Sequence, residues 1–255
     1  MLRNVENQVQ GFRTKDGAGV SLVRVLGFET ADVYDPFLML DAFDSTDPKD
    51  YIAGFPMHPH RGIETVTFLS KGTIVHEDHL GTKAAIHDGE AQWLTAGSGA
   101  YHSEMPQPAE RMLGVQLWLN IPAKDKMKAE PFYHGIINSE IQEFPLEGGK
   151  LRLLTGNYKE HSGIQGKYLP LDYYDIFLDP HGKVTLDVPG ENRSQWSSPW
   201  KVRRPSAVRL SRQRQRQNWE TAIPSPSRPE TSPLRSCSYA PTFWASRSHG
   251  MVPSS

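Results

Sequence analysis

A chain of 255 residues is long enough for one large domain or for two smaller ones, each with its own buried core. The formal net charge of −1 and the lack of an apolar run of membrane-spanning length argue against a general nucleic-acid binder and against a membrane protein. The single cysteine, Cys237, excludes an intrachain disulfide, and the N-terminus lacks the apolar core of a signal peptide, so we predict a cytoplasmic protein.

From residue 20 to about residue 188 the sequence consists of strand-length segments, rich in β-branched and aromatic residues and bounded by Gly, Pro, Asp or Asn. In chain order they are "VSLVRVLG", "FLMLDAF", "IETVTFLSKGTIVHED", "GEAQWLTAG", "RMLGVQLWLNIP", "KLRLLTG", "YYDIFLDP" and "KVTLDVPG". Within the third segment, "FLSKGTIV" is typical of a hairpin that turns at Lys71-Gly72. The pattern predicts an all-β sandwich or barrel.

Two histidines, His58 and His60, lie two residues apart in "GFPMHPHRGIETVTFLSKG". Residues at this spacing project from the same face of a strand, so both imidazoles can aim at one point. If the extended conformation continues, Glu64 shares that face. Pro59 has no N–H and favours an edge or rim position. The pair is either half of a metal site or an incidental spacing.

A second pair, His102 and Glu104, follows the Gly-rich turn "TAGSG". Two such pairs can supply three imidazoles and one carboxylate to a common centre, which suits a first-row transition metal with open positions for substrate. A hydrogen-bonded histidine and glutamate outside any metal site is the alternative. Three further histidines, His76, His79 and His87, lie in or near polar hairpin segments, and we predict that they are solvated.

The strand pattern stops near Glu191, and the composition changes there. Residues 193–255 hold 11 Lys and Arg, two acidic residues, 14 Ser, eight Pro and four of the six Trp. A natural disordered basic tail is one interpretation, although such tails are usually poor in Trp. The mixture is also typical of a coding region translated in the wrong frame, and our hypothesis is a frameshift near residue 193.

Taken together, "FPMHPHRGIETVTFLSKG" and "WLTAGSGAYHSEMPQ" resemble the pirin family of the cupin superfamily, and "PFLMLDAFD" is similar to that family's strand ahead of the metal site. The first cupin element, H-x-H-x3-E, is intact as His58, His60 and Glu64. The second departs from the general cupin pattern, with Thr95 where Pro is usual and a longer gap before His102. That departure is itself similar to pirins, whose carboxylate ligand follows the histidine of the second element by two residues.

The resemblance implies a ligand set of His58, His60, His102 and Glu104, with Glu64 beside the metal but not bound to it. It implies one divalent transition metal, with Fe as the family expectation and Mn, Co, Ni or Cu as ions that accept the same ligands. It further implies two cupin barrels. We expect an N-terminal metal-binding cupin over residues 1–134, the start of an incomplete C-terminal cupin over 135–192, and the aberrant tail over 193–255.

Pirin-like proteins of this type are similar to quercetin 2,3-dioxygenases, which open a flavonol with O₂ and release carbon monoxide. The resemblance therefore implies a flavonol and O₂ as substrates, with Glu104 as the general base. The alternative is a pirin-type interaction module, a transcriptional or redox co-regulator in which the metal shapes a surface without turnover. The sequence identifies no protein partner, and we expect the folded body to bind neither nucleic acid nor membrane.

Overall fold

The computed structural model describes residues 7–179, 183–186, 193–197, 208–212, 217–220 and 238–246. Among these residues, the helices are too short to cross a membrane. The helical elements are single turns: α1 (Ala31–Tyr34) and 3₁₀ turns at Phe28–Thr30 and Pro48–Asp50. The strands, in chain order, are β1 (Asn7–Val9), β2 (Phe12–Asp16), β3 (Val20–Leu26), β4 (Phe37–Ser45), β5 (Phe55–His60), β6 (Ile63–Lys71), β7 (Ile74–Asp78), β8 (Lys83–Ile86), β9 (Ala91–Thr95), β10 (Ala100–Pro106), β11 (Met112–Asn120), β12 (Phe132–Ile136), β13 (Gln142–Leu146), β14 (Gly149–Thr155), β15 (Asn157–Tyr158), β16 (His161–Ser162), β17 (Leu171–Leu178), β18 (Lys183–Leu186), β19 (Arg193–Ser197), β20 (Val208–Arg212), β21 (Gln217–Glu220) and β22 (Ser238–Ser246). The predicted all-β class is confirmed.

The chain divides into two compact units. The N-terminal unit comprises residues 10–141 together with 167–169, and the C-terminal unit takes the described residues of 1–9, 142–166 and 170–255. The predicted division into a complete first cupin and an incomplete second one stays a prediction.

The N-terminal unit contains two antiparallel sheets with its core between them. One sheet has seven strands in the order β12-β9-β6-β11-β4-β3-β2, and the other has four in the order β5-β10-β7-β8. The core combines side chains of both sheets, which explains why strands of either sheet are apolar on their inner faces. Its buried members are Val20, Leu22, Phe43, Tyr51, Leu69, Ile74, Ile86 and Met112.

The predicted hairpin at Lys71-Gly72 is wrong, because β6 and β7 belong to different sheets. Strand β6 pairs with β9 and β11, whereas β7 pairs with β8 and β10. Gly72 has φ +108°, and a Cβ there would lie 3.0 Å from Met112 Sδ. This glycine lets the chain cross from β6 in the seven-stranded sheet to β7 in the four-stranded sheet, which also contains β5 and β10.

The C-terminal unit is built around a seven-stranded sheet in the order β1-β20-β19-β22-β17-β14-β13. Buried apolar side chains of β14, β17 and β18 pack together as a separate core: Leu151, Leu153, Tyr174, Ile176, Val184 and Leu186. Within the predicted aberrant tail, 193–255, the described residues lie in strands β19 to β22. The rest of that tail falls outside the described residues, and the frameshift stays a prediction.

Candidate metal centre

Three imidazoles converge on the inner side of the four-stranded sheet. Strands β5 and β10 are antiparallel neighbours, and their register places His102 opposite His58 and Ala100 opposite His60. Ligand atoms of His58, His60 and His102 all lie within 4.8 Å of one another. The structure therefore brings together the three histidines of the two pairs, and this group could hold a metal ion.

The hydrogen bonds of these histidines direct their Nε2 atoms at the shared centre. His58 Nδ1 lies 2.8 Å from the Pro56 carbonyl oxygen, so Nδ1 carries the proton and donates it. Its Nε2 then presents a lone pair 3.0 Å from His60 Nε2. His102 Nε2 is buried and has no hydrogen-bond partner among the described residues. A buried, unpaired nitrogen beside two other imidazoles fits a cation, which would accept the lone pairs that nothing else accepts.

The environment of the site keeps two of the three imidazoles, those of His60 and His102, neutral. Burial lowers the pKa of His102 to about 3, and the neighbouring rings of His58 and His76 lower it further. Burial likewise lowers the pKa of His60 to about 4, with His102 and His58 adding to the effect and Glu104 opposing it. Because a metal binds the deprotonated ring nitrogen, these histidines are ready to bind at neutral pH without losing a proton.

Glu104, the predicted fourth ligand, is buried close to these rings but bound by other side chains. Its Oε1 accepts hydrogen bonds from Gln92 Nε2 at 2.6 Å and from Thr67 Oγ1 at 3.1 Å. Its Oε2 accepts one from Gln116 Nε2 at 2.6 Å. The group of donor atoms within 4.8 Å of one another, among the residues described, does not include Glu104. Its place in the metal's coordination stays a prediction.

The orientation of Gln92 is set from its other side by Tyr133. The Tyr133 hydroxyl donates to Gln92 Oε1 at 3.2 Å, so the amide nitrogen of Gln92 must face Glu104. Neither glutamine was a candidate from the sequence. Both lie in strands that are buried on both faces, where alternation does not mark an inward polar position.

The expectation that Glu64 lies beside the histidines is wrong. Gly62 has φ +72° and bends the chain between β5 and β6, so the alternation of β5 does not continue into β6. Glu64 Oε1 accepts from Thr95 Oγ1 at 2.7 Å, on the face of the sheet opposite to Thr67. Burial raises the pKa of Glu64.

The prediction for His76 is also wrong, because this ring is fully buried and contacts His102. His76 Nδ1 lies 3.5 Å from His102 Nδ1, and His76 Nε2 lies 3.1 Å from Asp78 Oδ2. The ring stacks on Tyr133 with centroids 4.1 Å apart. The signal in the sequence was the alternation of Ile74, His76 and Asp78, which share one face of β7. The other two histidines of this segment, His79 and His87, are exposed, as predicted.

Comparisons with known proteins identify what the chain is similar to. The family model described as Pirin matches residues 19–119. A Pseudomonas aeruginosa protein named "Putative quercetin 2,3-dioxygenase" is 40% identical over 198 residues, which is 75% of this chain and 69% of the relative. A Caulobacter vibrioides pirin-like protein is 42% identical over 197 residues, covering 76% and 71% of the two chains. The crystal structure of a quercetin 2,3-dioxygenase from Acinetobacter baumannii matches with a TM-score of 0.78 at 25% identity, covering 96% of this chain and 88% of that one.

Proposed function

Because this chain belongs to the pirin family, with the all-β cupin fold, we propose that it is a metal-dependent dioxygenase that opens flavonols such as quercetin with O₂. The observation that carries the proposal is the convergence of three imidazoles next to one buried carboxylate. His58, His60 and His102 would hold the ion, and we assign Glu104 as the fourth ligand. A redox-active divalent ion, Fe before Mn, Co, Ni or Cu, would supply Lewis acidity and electron exchange with O₂.

The proton of the flavonol hydroxyl goes to Glu104 in this proposal. Oε1 already accepts two hydrogen bonds, whereas Oε2 accepts only the one from Gln116 among the described residues. A carboxylate oxygen has two lone pairs, so Oε2 has one left to bind a metal or to take a proton. It cannot do both at once, and we therefore expect Glu104 to loosen from the ion while it acts as the base.

The side chains around His60 suit a flat aromatic substrate. Trp118 packs edge-on against His60, with ring centroids 4.7 Å apart. A small apolar cluster adjoins this contact, and it consists of Ile63, Ala96 and Ala100 with Leu38 and Trp118 packed against them. His58 and His60 remain partly exposed, so a substrate can reach them from solvent. An apolar surface beside polar ligand groups is the usual composition of a small-molecule site.

The test is anaerobic loading of the protein with Fe²⁺, followed by quercetin and O₂. We expect one O₂ consumed and one CO released for each flavonol opened, measured by an oxygen electrode and by gas analysis. Glu104→Gln keeps the shape of the side chain but removes the base, and we expect a loss of about 10²- to 10⁴-fold in rate. His102→Ala should lose the metal and the activity together.

Glu64→Gln is the matched control, because Glu64 is a buried glutamate that lies on the other face of the sheet. It should turn over quercetin as the unsubstituted protein does. Metal binding without turnover of any flavonol would contradict the proposal and would support the alternative, a metal-bearing interaction module.

A further inference from the structure

We propose that Asp78 and His76 are positioning residues that fix the tautomer in which His102 presents Nε2 to a metal. Neither residue belongs to the group of ligand atoms at the centre. The inference rests on the metal site of the proposed function but not on its substrate or its reaction.

The register of β7 and β10 places these side chains on one surface. His102 lies opposite Asp78, and Glu104 lies opposite His76, so the four side chains share the inner face of the sheet. His76 and His102 are fully buried, and Asp78 is 8% exposed. Water therefore has little access to the ring nitrogens of either histidine, and their hydrogen bonds must come from the protein.

Asp78 determines which nitrogen of His76 donates a hydrogen bond. Its Oδ1 accepts the backbone N–H groups of Leu80 at 2.9 Å and of Thr82 at 3.0 Å, which fixes the side chain as an acceptor at the start of the β7–β8 turn. Its Oδ2 lies 3.1 Å from His76 Nε2. A carboxylate can only accept, so His76 must carry its proton on Nε2 and donate it to Asp78.

The tautomer of His76 in turn determines the tautomer of His102. With its proton on Nε2, a neutral His76 has a lone pair on Nδ1, and this atom lies 3.5 Å from His102 Nδ1, the outer limit of a hydrogen bond. His102 must therefore donate from Nδ1, which leaves the lone pair on its Nε2. The opposite order would place a proton on Nε2 of His102, a buried atom without an acceptor among the described residues. An orphaned buried N–H is the costlier arrangement.

The hydrogen bonds from His102 to His76 and from His76 to Asp78 form a relay, and Tyr133 holds its middle residue, His76, in place. Its ring stacks on His76 at 22° between planes, and its hydroxyl is tied to Gln92. Rotation of the His76 ring would break the contacts with Asp78, Tyr133 and His102 together. The relay thus sets both the tautomer and the orientation of the His102 ring, as outer hydrogen-bond partners of metal-bound histidines do.

Asp78→Asn is the sharpest test. The asparagine oxygen can still accept from the N–H groups of Leu80 and Thr82, so the turn is kept, while its NH₂ faces His76 and must donate. That reverses every proton along the relay and puts a proton on His102 Nε2. We expect Co²⁺ affinity, measured by competition with a chromophoric chelator, to fall by about 10- to 100-fold. Co²⁺ affinity equal to that of the unsubstituted protein would overturn the proposal.

Asp88→Asn is the matched control. Asp88 also accepts a backbone N–H in a turn, that of Gly72 at 2.7 Å, but its other partner is Lys71 rather than an imidazole. We expect unchanged Co²⁺ affinity. If Asp78→Asn fails to fold, His76→Phe takes its place, because it preserves the ring stacked on Tyr133 and removes the acceptor for His102; an undiminished Co²⁺ affinity in this variant would equally refute the relay.

A second readout needs no metal. Long-range ¹H–¹⁵N spectra of the histidine rings distinguish the two tautomers in the metal-free protein. We expect the proton on Nδ1 of His102 and on Nε2 of His76, with both reversed in Asp78→Asn. Finding the proton on Nε2 of His102 in the unsubstituted protein would overturn the proposed tautomer while leaving the dioxygenase proposal intact. A protein that binds Co²⁺ but never turns over quercetin would overturn the dioxygenase proposal while leaving the tautomer proposal intact.

Discussion

Removal of the individual hydrogen-bond donors to Glu104 should destabilise the protein to different extents, because only some substitutions leave a carboxylate oxygen without a donor. Gln116→Met keeps the length of the side chain but removes the donor that Oε2 alone depends on among the described residues. Thr67→Val removes a donor from Oε1, which keeps the shorter bond from Gln92. The first change therefore leaves a buried carboxylate oxygen without a hydrogen bond, and the second does not.

The magnitudes follow from the burial of the carboxylate. Glu104 is 2% exposed and Gln116 is 6% exposed, so water does not replace the lost donor. A hydrogen bond to a charged group contributes about 1.5–3 kcal/mol, and an unsatisfied buried partner brings the cost to the upper end of this range. We expect Gln116→Met to lower the free energy of unfolding by about 3 kcal/mol, and Thr67→Val by about 1.5 kcal/mol, the lower end of the range, because Oε1 keeps the bond from Gln92.

Urea unfolding of the metal-free protein measures both values, and a double-mutant cycle assigns them. With Glu104→Gln as the second substitution, the coupling between Gln116 and Glu104 should be about 2 kcal/mol, because the bond to a charge is what the cycle isolates. If Thr67→Val costs as much as Gln116→Met, or if the coupling is zero, then the amides do not hold the carboxylate in the way described.

Three further predictions concern pH, Glu64 and the tail. Because the folded-state pKa values of His60 and His102, about 4 and about 3, lie below the ordinary histidine value of 6.5, the unfolded chain binds more protons than the folded one between those values and 6.5. The urea midpoint of the metal-free protein should therefore fall as the pH drops from 7 to 4, and a His102→Phe variant should show a shallower fall. Glu64→Gln should bind Co²⁺ with unchanged affinity in a calorimetric titration, and a weakened affinity would restore Glu64 to the site. Sequencing the gene across codon 193 should reveal a shifted frame that encodes alternating apolar residues; a shifted frame without that pattern counts against the frameshift.

The histidine cluster was accessible from the sequence because it depends on local geometry. In each pair the two residues are separated by one position, and a strand turns that spacing into a shared face whatever the rest of the fold does. The position of His58 opposite His102 depends on the register between β5 and β10, and the spacing of residues within each pair does not predict that register. The family resemblance supplied this long-range part of the prediction, and the antiparallel pairing of β5 with β10 places the residues opposite each other.

The errors arose where the backbone leaves the strand or where both faces of a strand are buried. Glu64 was assigned to the wrong face because Gly62 interrupts the extended chain after His60. The polar neighbours of His76 predict a solvated ring, whereas alternate residues of β7, His76 among them, are buried. The composition of a segment does not distinguish the two faces of a strand, although only one face is buried. A half-buried strand with charged residues on its outer face is therefore easily mistaken for a surface loop.

Two of the buried glutamates of the N-terminal unit, Glu64 and Glu104, differ in what their carboxyl groups can offer a cation. Glu104 accepts three hydrogen bonds, which together reach both of its carboxylate oxygens. In Glu64, burial outweighs the donors and raises the pKa, and its Oε2 has no hydrogen-bond partner among the described residues. Imidazoles bind a metal in their uncharged form and therefore contribute no charge to offset a divalent ion. The amides of Gln92 and Gln116 that donate to Glu104 carry no charge of their own, so a carboxylate at this position would supply negative charge to a metal held by the three histidines.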